Sequence, residues 1–322
     1  MFDKNGIIGN TPMIKINYKY KDIYNKIFVK LEYYNMTGSI KDRVAFYMIN
    51  NAKTRGELKE KMPIIEVTSG NTGIALSAIG TYYNHPVYIF MPDWVSKERI
   101  DLIKGYGAKV FLVSKEDGGF LRCMKEARKM ANDIDGFLVN QFSNRDNFLA
   151  HYETTGIEIL EQIAEPIGGF VSGVGTGGTL MGIGQRLKEK YNSMSITAIE
   201  PDKMPIISGG KVKGEHKIEG IGDDFVPDLI DKSKIDKLIL INDDDAINMS
   251  RKIAKELGIG VGISSGANFI GSVLLNDEIQ DATVTVFPDD NKKYLSTELS
   301  KNIDFNSKFI SNKIELISYE TV

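Results

Sequence analysis

Residues 63–82 read PIIEVTSGNTGIALSAIGTY, and this segment contains the pattern that decides the fold. The run 63–67 is short and apolar apart from one acidic residue, which is typical of a buried strand. The stretch 68–73 brings glycines, hydroxyls and an amide, which indicates a turn. From 72 to 82 the apolar spacing changes to that of a helix. The segment is therefore predicted to be one strand, one polar turn and one helix.

The same unit recurs along the chain. Further strands are predicted at 27–32, 87–91, 109–113, 136–139, 169–172, 196–199, 237–241 and 283–287. Helices are predicted at 97–104, 121–131, 147–163, 180–191 and 246–257, with another from about 41 to 53. Repeated alternation of strands and helices favours mostly parallel sheet covered by helices on both faces. So many strands exceed one sheet of usual size, so we predict an α/β protein with two open, twisted sheets.

Composition excludes several classes of protein. The chain has 322 residues and a formal net charge of −3, which gives no basic footprint for nucleic acid or an anionic membrane. No apolar run reaches the length of a membrane span, and the first residues lack the pattern of a signal peptide. The single cysteine, Cys123, and three scattered histidines argue against disulfides and metal sites. We therefore expect a cytoplasmic protein that binds no metal, nucleic acid or membrane.

Polar residues follow two of the predicted strands. Ligands of open α/β sheets bind beyond the carboxyl ends of the strands, so these positions are informative. Thr68, Ser69, Asn71 and Thr72 come after the strand 63–67 and open a helix. Their side chains and the free N–H groups of the helix start can hold a carboxylate. Another predicted strand, 136–139, is followed closely by Gln141.

A glycine-rich loop follows the strand 169–172 and leads into a helix. It consists of Gly173, Val174, Gly175, Thr176, Gly177, Gly178 and Thr179. Glycines let the backbone approach an anion closely, and a helix N-terminus adds N–H groups. A merely tight turn explains one or two glycines but not so dense a cluster. The loop is predicted to cradle a phosphate.

Two phosphate compounds compete for this loop. The spacing of Gly173, Gly175 and Gly178 matches the dinucleotide fingerprint, so a nicotinamide or flavin enzyme is one interpretation. That interpretation gives no role to Lys41, which starts a predicted helix after a Gly-Ser turn. The helix dipole and desolvation lower the pKa of such a lysine and favour Schiff-base chemistry. One phosphate, a lysine nucleophile and a carboxylate cradle together indicate pyridoxal 5′-phosphate (PLP) acting on an amino acid.

The chain resembles the cysteine synthase (O-acetylserine sulfhydrylase) and cystathionine β-synthase family of fold-type II PLP enzymes. The motifs that carry the resemblance are IGNTP at 8–12, GSIKDR at 38–43, TSGNTG at 68–73, the glycine loop 173–179, EGIG at 219–222, GISSG at 262–266 and YLST at 294–297. They extend over nearly the whole length in one order. The resemblance implies a homodimer, with a smaller mobile domain, 39–145, that closes over the substrate. The larger PLP-binding domain would comprise 1–38 and 146–322.

The resemblance also implies roles for single residues. Lys41 would carry PLP as an internal aldimine and later move the α-proton of the substrate, and Asn71 would hydrogen-bond the phenolic oxygen of PLP. The phosphate would be held by Gly175, Thr176, Gly177, Gly178 and Thr179, and the substrate carboxylate by Thr68, Ser69, Thr72 and Gln141. The implied reaction is β-replacement or β-elimination on a cysteine- or serine-type amino acid. It runs through an α-aminoacrylate and makes or breaks a C–S bond.

The chain departs from the family pattern at Asp223 and Asp224, where small residues are usual. In the family this loop lies near the Cβ side of the substrate. An acidic pair in a loop is often simply solvated, but a carboxylate here can also act as general base towards water and repel anionic sulfide. We therefore predict an L-cysteine lyase that releases hydrogen sulfide and adds water to give L-serine. The alternatives are a biosynthetic cysteine synthase that uses O-acetylserine and sulfide, and a non-catalytic binding protein on the same scaffold.

A second departure lies at 288–291, which reads PDDN where the family usually has serine. By the resemblance, a residue here faces the pyridine nitrogen of PLP. Asp290 is the better-aligned candidate and Asp289 the second choice. An ionised aspartate in this position would favour a protonated ring and strengthen PLP as an electron sink. The alternative is that the carboxylate turns to solvent.

Overall fold

The computed structural model describes residues 6–279, 281–301 and 306–322. The strands are β1 (Met13–Tyr20), β2 (Ile23–Leu31), β3 (Ile64–Val67), β4 (Val87–Pro92), β5 (Lys109–Val113), β6 (Phe137–Leu138), β7 (Ile167–Gly173), β8 (Ser195–Pro201), β9 (Lys237–Ile241), β10 (Ala282–Phe287) and β11 (Ile314–Thr321). The α-helices are α1 (Lys41–Thr54), α2 (Asn71–Tyr82), α3 (Lys97–Gly105), α4 (Gly119–Asp133), α5 (Arg145–Ala150), α6 (Gly156–Gln162), α7 (Gly178–Lys190), α8 (Asp243–Leu257) and α9 (Ile263–Asn276). Short 3₁₀ turns include Asn291–Tyr294.

These strands form two sheets. One has seven strands in the order β11-β1-β2-β10-β7-β8-β9, and the other has four in the order β5-β4-β3-β6. Only β1 pairs antiparallel, with β2 and with β11, whereas the other neighbouring strands of the described residues are parallel. The predicted α/β class with two mostly parallel sheets is confirmed.

Alternating side chains bury both faces of the four-stranded sheet. Ile64 of β3 belongs to an apolar core with α1 and α2, and its neighbour Ile65 packs in a second core with Cys123 and Ala127 of α4. A strand covered on both faces is apolar throughout, which explains why 63–67 is recognisable in the sequence. The strands of this sheet all fall within 39–145.

Several elements differ from the sequence-based expectation. β1 and β11 lie at the antiparallel end of the larger sheet, and the two-residue turn between β1 and β2 places Lys21 and Asp22 at φ of 50° and 64°. α9 is buried along almost its whole length, including its polar residues Ser264, Asn268, Ser272 and Asn276, so no side of this helix faces solvent. The predicted helix 147–163 is divided by a π-helical turn, His151–Thr155. No helix among the described residues is long and apolar enough to cross a membrane.

The loops that carry the predicted site converge at the start of α1. The backbone N–H of Ile40 donates to the carbonyl of Pro288, which follows β10, at 2.8 Å. Ser39 forms a bridge with Asp289. The start of the helix with Lys41 is therefore attached to the carboxyl edge of the larger sheet, facing the loops of the smaller one.

Candidate active site

A cavity of about 690 Å³ lies among these loops. Of the residues predicted from the sequence, those lining it are Lys41, Thr68, Ser69, Asn71, Thr72, Gln141, Gly175, Thr176, Gly177, Thr179, Asp223 and Asp224. Residues from both sheets thus meet in one space. Gly178 and Asp290 do not line the cavity.

Lys41 is the first residue of α1, and its backbone N–H donates to the Ser39 hydroxyl at 3.3 Å. Burial lowers the pKa of its ammonium group to about 8, and the negative charge of Asp223 partly opposes this effect. A lysine with such a pKa has a sizeable neutral fraction near pH 8, which is what a nucleophilic amine needs.

The carboxylate cradle is built from two segments that hold each other. The Thr72 hydroxyl donates to Gln141 Oε1 at 2.7 Å, and Gln141 Nε2 donates to the carbonyl of Val67 at 2.8 Å. Gly70 lies between Val67 and Thr72 in the sequence and has a φ of 156°. A Cβ on this residue would lie 2.0 Å from Arg99 Cδ. Only glycine fits this turn, because both the conformation and the space exclude a side chain.

The glycine loop leads into α7, whose first turn has no side-chain cap. A Cβ on Gly175 would lie 2.4 Å from the carbonyl oxygen of Gly220, and one on Gly178 would lie 2.0 Å from Asn147 Oδ1. These two glycines are needed for close packing, while Gly177 takes a φ of 87°. The loop presents backbone N–H groups at a helix N-terminus, which suits a phosphate; the N–H of Gly178 donates weakly to Thr176 Oγ1 at 3.4 Å.

Two buried residues behind this loop are not assigned a role by the sequence. Asn147 donates to Thr176 Oγ1 at 2.8 Å and to the carbonyl of Gln141 at 2.9 Å, so it connects the glycine loop to the carboxylate cradle. His151 Nε2 lies 3.2 Å from Thr179 Oγ1, and burial lowers the pKa of its imidazole well below the usual range. Asn147 and His151 are four residues apart and therefore share one helical face. This spacing is the pattern in the sequence that could have indicated them.

The acidic loop is anchored immediately before Asp223. The N–H of Gly222 donates to the carbonyl of Val174 at 2.9 Å, and His216 Nε2 donates to the carbonyl of Gly222 at 2.7 Å. Asp223 is half-buried, whereas Asp224 is exposed. Burial raises the pKa of Asp223 to about 6; the charge of Asp224 raises it further, and that of Lys41 lowers it. Asp223 is therefore an acidic side chain of raised pKa in the lining of the cavity.

The structure does not bring Asp290 to the cavity, which corrects the expectation that it faces a cofactor ring. Its carboxylate caps the 3₁₀ turn Asn291–Tyr294 by accepting from the N–H of Lys292 at 3.1 Å, and it lies 3.6 Å from Lys292 Nζ. Short acidic side chains readily bond to backbone N–H groups two residues ahead. This local bond draws Asp290 away from the site.

Asp289, the second choice, is buried and lies directly behind Asn71. Its Oδ2 accepts from Asn71 Nδ2 at 2.7 Å and from the Tyr294 hydroxyl at 2.8 Å. Within the described residues its Oδ1 has no hydrogen-bond partner. The cavity itself is lined by Ser264 of the GISSG motif, a residue that the motif signals without indicating its role.

The residues present fit PLP. Lys41 supplies an amine of lowered pKa, and the start of α7 supplies an anion cradle of uncapped N–H groups. Asn71 lines the same cavity, and its Oδ1 is buried without a hydrogen-bond partner among the described atoms. A buried amide oxygen in this state is normally satisfied by a further group, so the site is equipped for a polar ligand beside Asn71.

Known proteins agree with this geometry. A family model described as pyridoxal-phosphate dependent enzyme matches residues 4–289. A cysteine synthase of Staphylococcus aureus is 40% identical over 296 residues, which cover 91% of this chain and 95% of the relative. The chain belongs to the cysteine synthase family of PLP-dependent enzymes. The dinucleotide interpretation of the glycine loop is thereby set aside.

Solved structures of this family superpose closely. A hydrogen sulfide-producing enzyme from Fusobacterium nucleatum has a TM-score of 0.94 at 47% identity, covering 99% of this chain and 98% of that one. A variant of that enzyme, with one aspartate replaced by asparagine, was solved in complex with an α-aminoacrylate intermediate. A cysteine synthase from Entamoeba histolytica has a TM-score of 0.88 at 38% identity, covering 97% and 94% of the two chains.

Proposed function

We propose that this enzyme is an L-cysteine lyase. It breaks the Cβ–S bond of L-cysteine, releases hydrogen sulfide and adds water at Cβ to give L-serine. The observation that carries the proposal is the half-buried Asp223 carboxyl in the same cavity as Lys41, at a position where the family usually has a small residue. The similarity to the hydrogen sulfide-producing enzyme supports it.

The reaction balances as L-cysteine plus water giving L-serine plus hydrogen sulfide. When bound, PLP supplies the electron sink that allows the α-proton and then the thiol to leave the substrate. The Lys41 amine takes the α-proton and returns it at the end. Thr68, Ser69, Thr72 and Gln141 hold the substrate carboxylate and so orient Cα towards Lys41.

Asp223 provides the base for the water step. A general base works best when its pKa lies near the working pH, and burial gives Asp223 a pKa of about 6. At neutral pH it is mostly ionised and can accept a proton from water as the oxygen bonds to Cβ. The same charge repels hydrosulfide, which disfavours the reverse use of sulfide as nucleophile.

The remaining roles follow the same geometry. The phosphate of PLP would be bound by Gly175, Thr176, Gly177, Gly178 and Thr179, and its phenolic oxygen by Asn71. Asp289 would act through Asn71, because its carboxylate holds the amide at 2.7 Å.

Closure of the segment 39–145 over the substrate is part of the proposal. In the structure this segment contacts the larger sheet's loops through an ion pair between Arg99 and Glu219 and through the rings of Phe120 and Phe225, whose centroids are 6.4 Å apart. Opening would break these contacts. A closed cavity keeps bulk water from the reacting centre, so that only the water held by Asp223 reacts.

We further propose a cytoplasmic homodimer. The lone Cys123 is a buried free thiol, which suits a reducing compartment. β11 is an edge strand that exposes Ile317 and Tyr319, and an exposed apolar edge strand favours association with a second copy. Light scattering combined with size exclusion tests the dimer: a mass of one chain would contradict it.

The alternative function is biosynthetic cysteine synthase, which joins O-acetylserine and sulfide. The identity to cysteine synthases favours it, and the carboxylate cradle serves either reaction. Steady-state rates with O-acetylserine plus sulfide and with L-cysteine alone discriminate the two.

Product analysis with L-cysteine alone tests the primary proposal. Wild type, Asp223→Ala and Asp224→Gly are incubated with L-cysteine, and sulfide, L-serine and pyruvate are quantified. We expect equal amounts of serine and sulfide from wild type, a fall of at least about a hundredfold in serine from Asp223→Ala, and a smaller fall from Asp224→Gly. Equal serine and sulfide output from all three enzymes contradicts the assignment of Asp223.

A further inference from the structure

Glu66 of β3 is a buried carboxyl group to which the proposed reaction gives no role. Its side chain is 2% exposed. Oε2 accepts from the backbone N–H of Gln141 at 3.0 Å, and Oε1 accepts from the backbone N–H of Val67 at 2.7 Å. Within the described residues it forms no ion pair. A buried carboxylate without a cation is costly, so its two backbone bonds call for an explanation.

These bonds join the two segments of the carboxylate cradle. Val67 directly precedes Thr68, and its carbonyl accepts from Gln141 Nε2 at 2.8 Å. Gln141 in turn accepts from Thr72 at 2.7 Å. Glu66 thus fastens the backbone of both segments, while Thr72 and Gln141 connect their side chains. Movement at Glu66 would be transmitted through Val67 and Gln141 to the two segments that carry the cradle.

We propose that Glu66 is a positioning residue that, in its ionised form, fixes the substrate-carboxylate cradle of Thr68, Ser69, Thr72 and Gln141. Two N–H donors point at the two oxygens of one carboxyl group. An ionised carboxylate accepts both bonds most strongly, because protonation turns one oxygen into a hydroxyl group, which is a much weaker acceptor. The proposal rests on the cradle's role in holding the amino acid and does not depend on the fate of the sulfur.

Glu66 lines a second cavity, of about 230 Å³, on the side away from the catalytic one. Arg128 of α4 and Asp228 are the other titratable side chains that line it, and Cys123 of α4 packs in the apolar cluster beside Val67. Phe142 lines both cavities, so an aromatic ring separates Glu66 from the catalytic space. Protons can therefore reach Glu66 without passing the substrate.

Substrate affinity should respond to pH through this group. Burial raises the pKa of Glu66 to about 7, and the N–H groups of Val67 and Gln141 oppose the rise. Because the ionised form orders the cradle, amino-acid binding strengthens as pH rises from about 6 to 8. The cradle loosens below this range as the carboxyl group takes up a proton.

Glu66→Gln tests the proposal in the PLP-loaded enzyme. The amide keeps the volume but has one acceptor oxygen, and its NH₂ group confronts a backbone N–H. We expect the dissociation constant of L-serine, titrated by the absorbance of bound PLP, to rise about tenfold and to lose its dependence on pH between 6 and 8. The matched control is Glu60→Gln, an exposed residue ahead of β3, which should retain the wild-type profile.

Three outcomes decide the matter. Unchanged affinity in a folded, PLP-loaded Glu66→Gln overturns the proposal, as does a wild-type affinity that is flat between pH 6 and 8, which needs no variant. The proposal is also overturned if Glu66→Gln loses affinity by the same factor at every pH and so keeps the pH dependence of the wild type. That result indicates general damage to the site. L-serine binding involves no sulfur, so failure of the lyase proposal leaves this test intact.

Discussion

Lys41 and Asp223 line one cavity, and each carries a charge that shifts the pKa of the other against the effect of burial. Lys41 begins α1, and Asp223 lies in the anchored loop beyond β8. Burial favours the neutral form of both groups and is the largest cause of their shifts, and the resulting pKa values are about 8 for Lys41 and about 6 for Asp223. A basic amine and a basic carboxylate thus coexist within reach of one substrate. This pairing distinguishes the site from a simple lysine pocket.

The pH profile of sulfide release should reveal Asp223. We expect kcat/KM for L-cysteine to rise through a step near pH 6, because Asp223 must be ionised to accept a proton. In Asp223→Asn this step disappears. In Asp224→Asn it moves to lower pH, since the charge of Asp224 raises the pKa of its neighbour. A step that persists in Asp223→Asn assigns it to another group.

The stability of the protein should also depend on Asp223. Its folded pKa of about 6 lies above the usual value, so the folded state holds the proton more tightly than the unfolded state. The resulting penalty is absent below the unfolded pKa, grows with pH, and is complete above about pH 6. Asp223→Asn should therefore raise the free energy of unfolding by about 1–3 kcal/mol at pH 8 and by less at pH 5. Denaturant unfolding at both pH values measures the difference.

Lys41→Ala should abolish covalent retention of PLP. After dialysis we expect the variant to lose the yellow colour and at least about a thousandfold in activity, because Lys41 is the cavity-lining lysine whose pKa burial lowers to about 8. Lys53→Ala is the matched control on the same helix, at an exposed position over the ring of Tyr83. A yellow, dialysis-resistant Lys41→Ala protein contradicts the assignment.

Gly175→Ala should weaken PLP binding by about tenfold or more. The new Cβ would lie 2.4 Å from the carbonyl oxygen of Gly220, so the backbone of one loop must shift. Gly105→Ala, at the end of α3, meets no atom within 4 Å and serves as control. Equilibrium dialysis of PLP against both variants measures the effect, and equal affinities would show that the close packing at Gly175 is dispensable.

Substitutions of the neighbouring residues Asp289 and Asp290 should have sharply different effects on PLP binding. Asp290→Ser keeps a cap for the 3₁₀ turn and should change kcat less than about twofold and stability by less than about 1 kcal/mol. Asp289→Ser leaves Asn71 and Tyr294 without their shared acceptor and should lower PLP affinity by about tenfold or more. The opposite ranking in a PLP titration would restore Asp290 as the functional residue.

Much of the fold follows from local patterns. The predicted strands 109–113 and 237–241 coincide with β5 and β9, because short apolar runs bounded by turns are typical of strands. α9 is not among the predicted helices; its polar residues are buried together with its apolar ones, so it lacks the solvent-facing side of a surface helix. β11 is brought beside β1 from the far end of the chain, which no local pattern indicates.

The residues of the site also divide into those that local sequence patterns predict and those that they do not. Loops after strands indicate Lys41, Thr68 and the glycine loop, because parallel strands bring their carboxyl ends to one edge. The choice between Asp289 and Asp290 depends on which carboxylate meets the N–H of Lys292, a matter of turn geometry. Glu66 owes its position to a hydrogen bond with Gln141, which is distant in sequence. Long-range bonds of this kind are outside the reach of residue patterns.

Isotope labelling tests the lyase proposal most directly. Wild-type enzyme loaded with PLP converts L-cysteine in ¹⁸O-labelled water, and the products are followed by mass spectrometry and a sulfide assay. We predict L-serine carrying one ¹⁸O in its hydroxyl group, in an amount equal to the sulfide released and strongly reduced in Asp223→Asn. Sulfide accompanied by pyruvate and ammonia, with no labelled serine, would contradict the role of Asp223 in adding water.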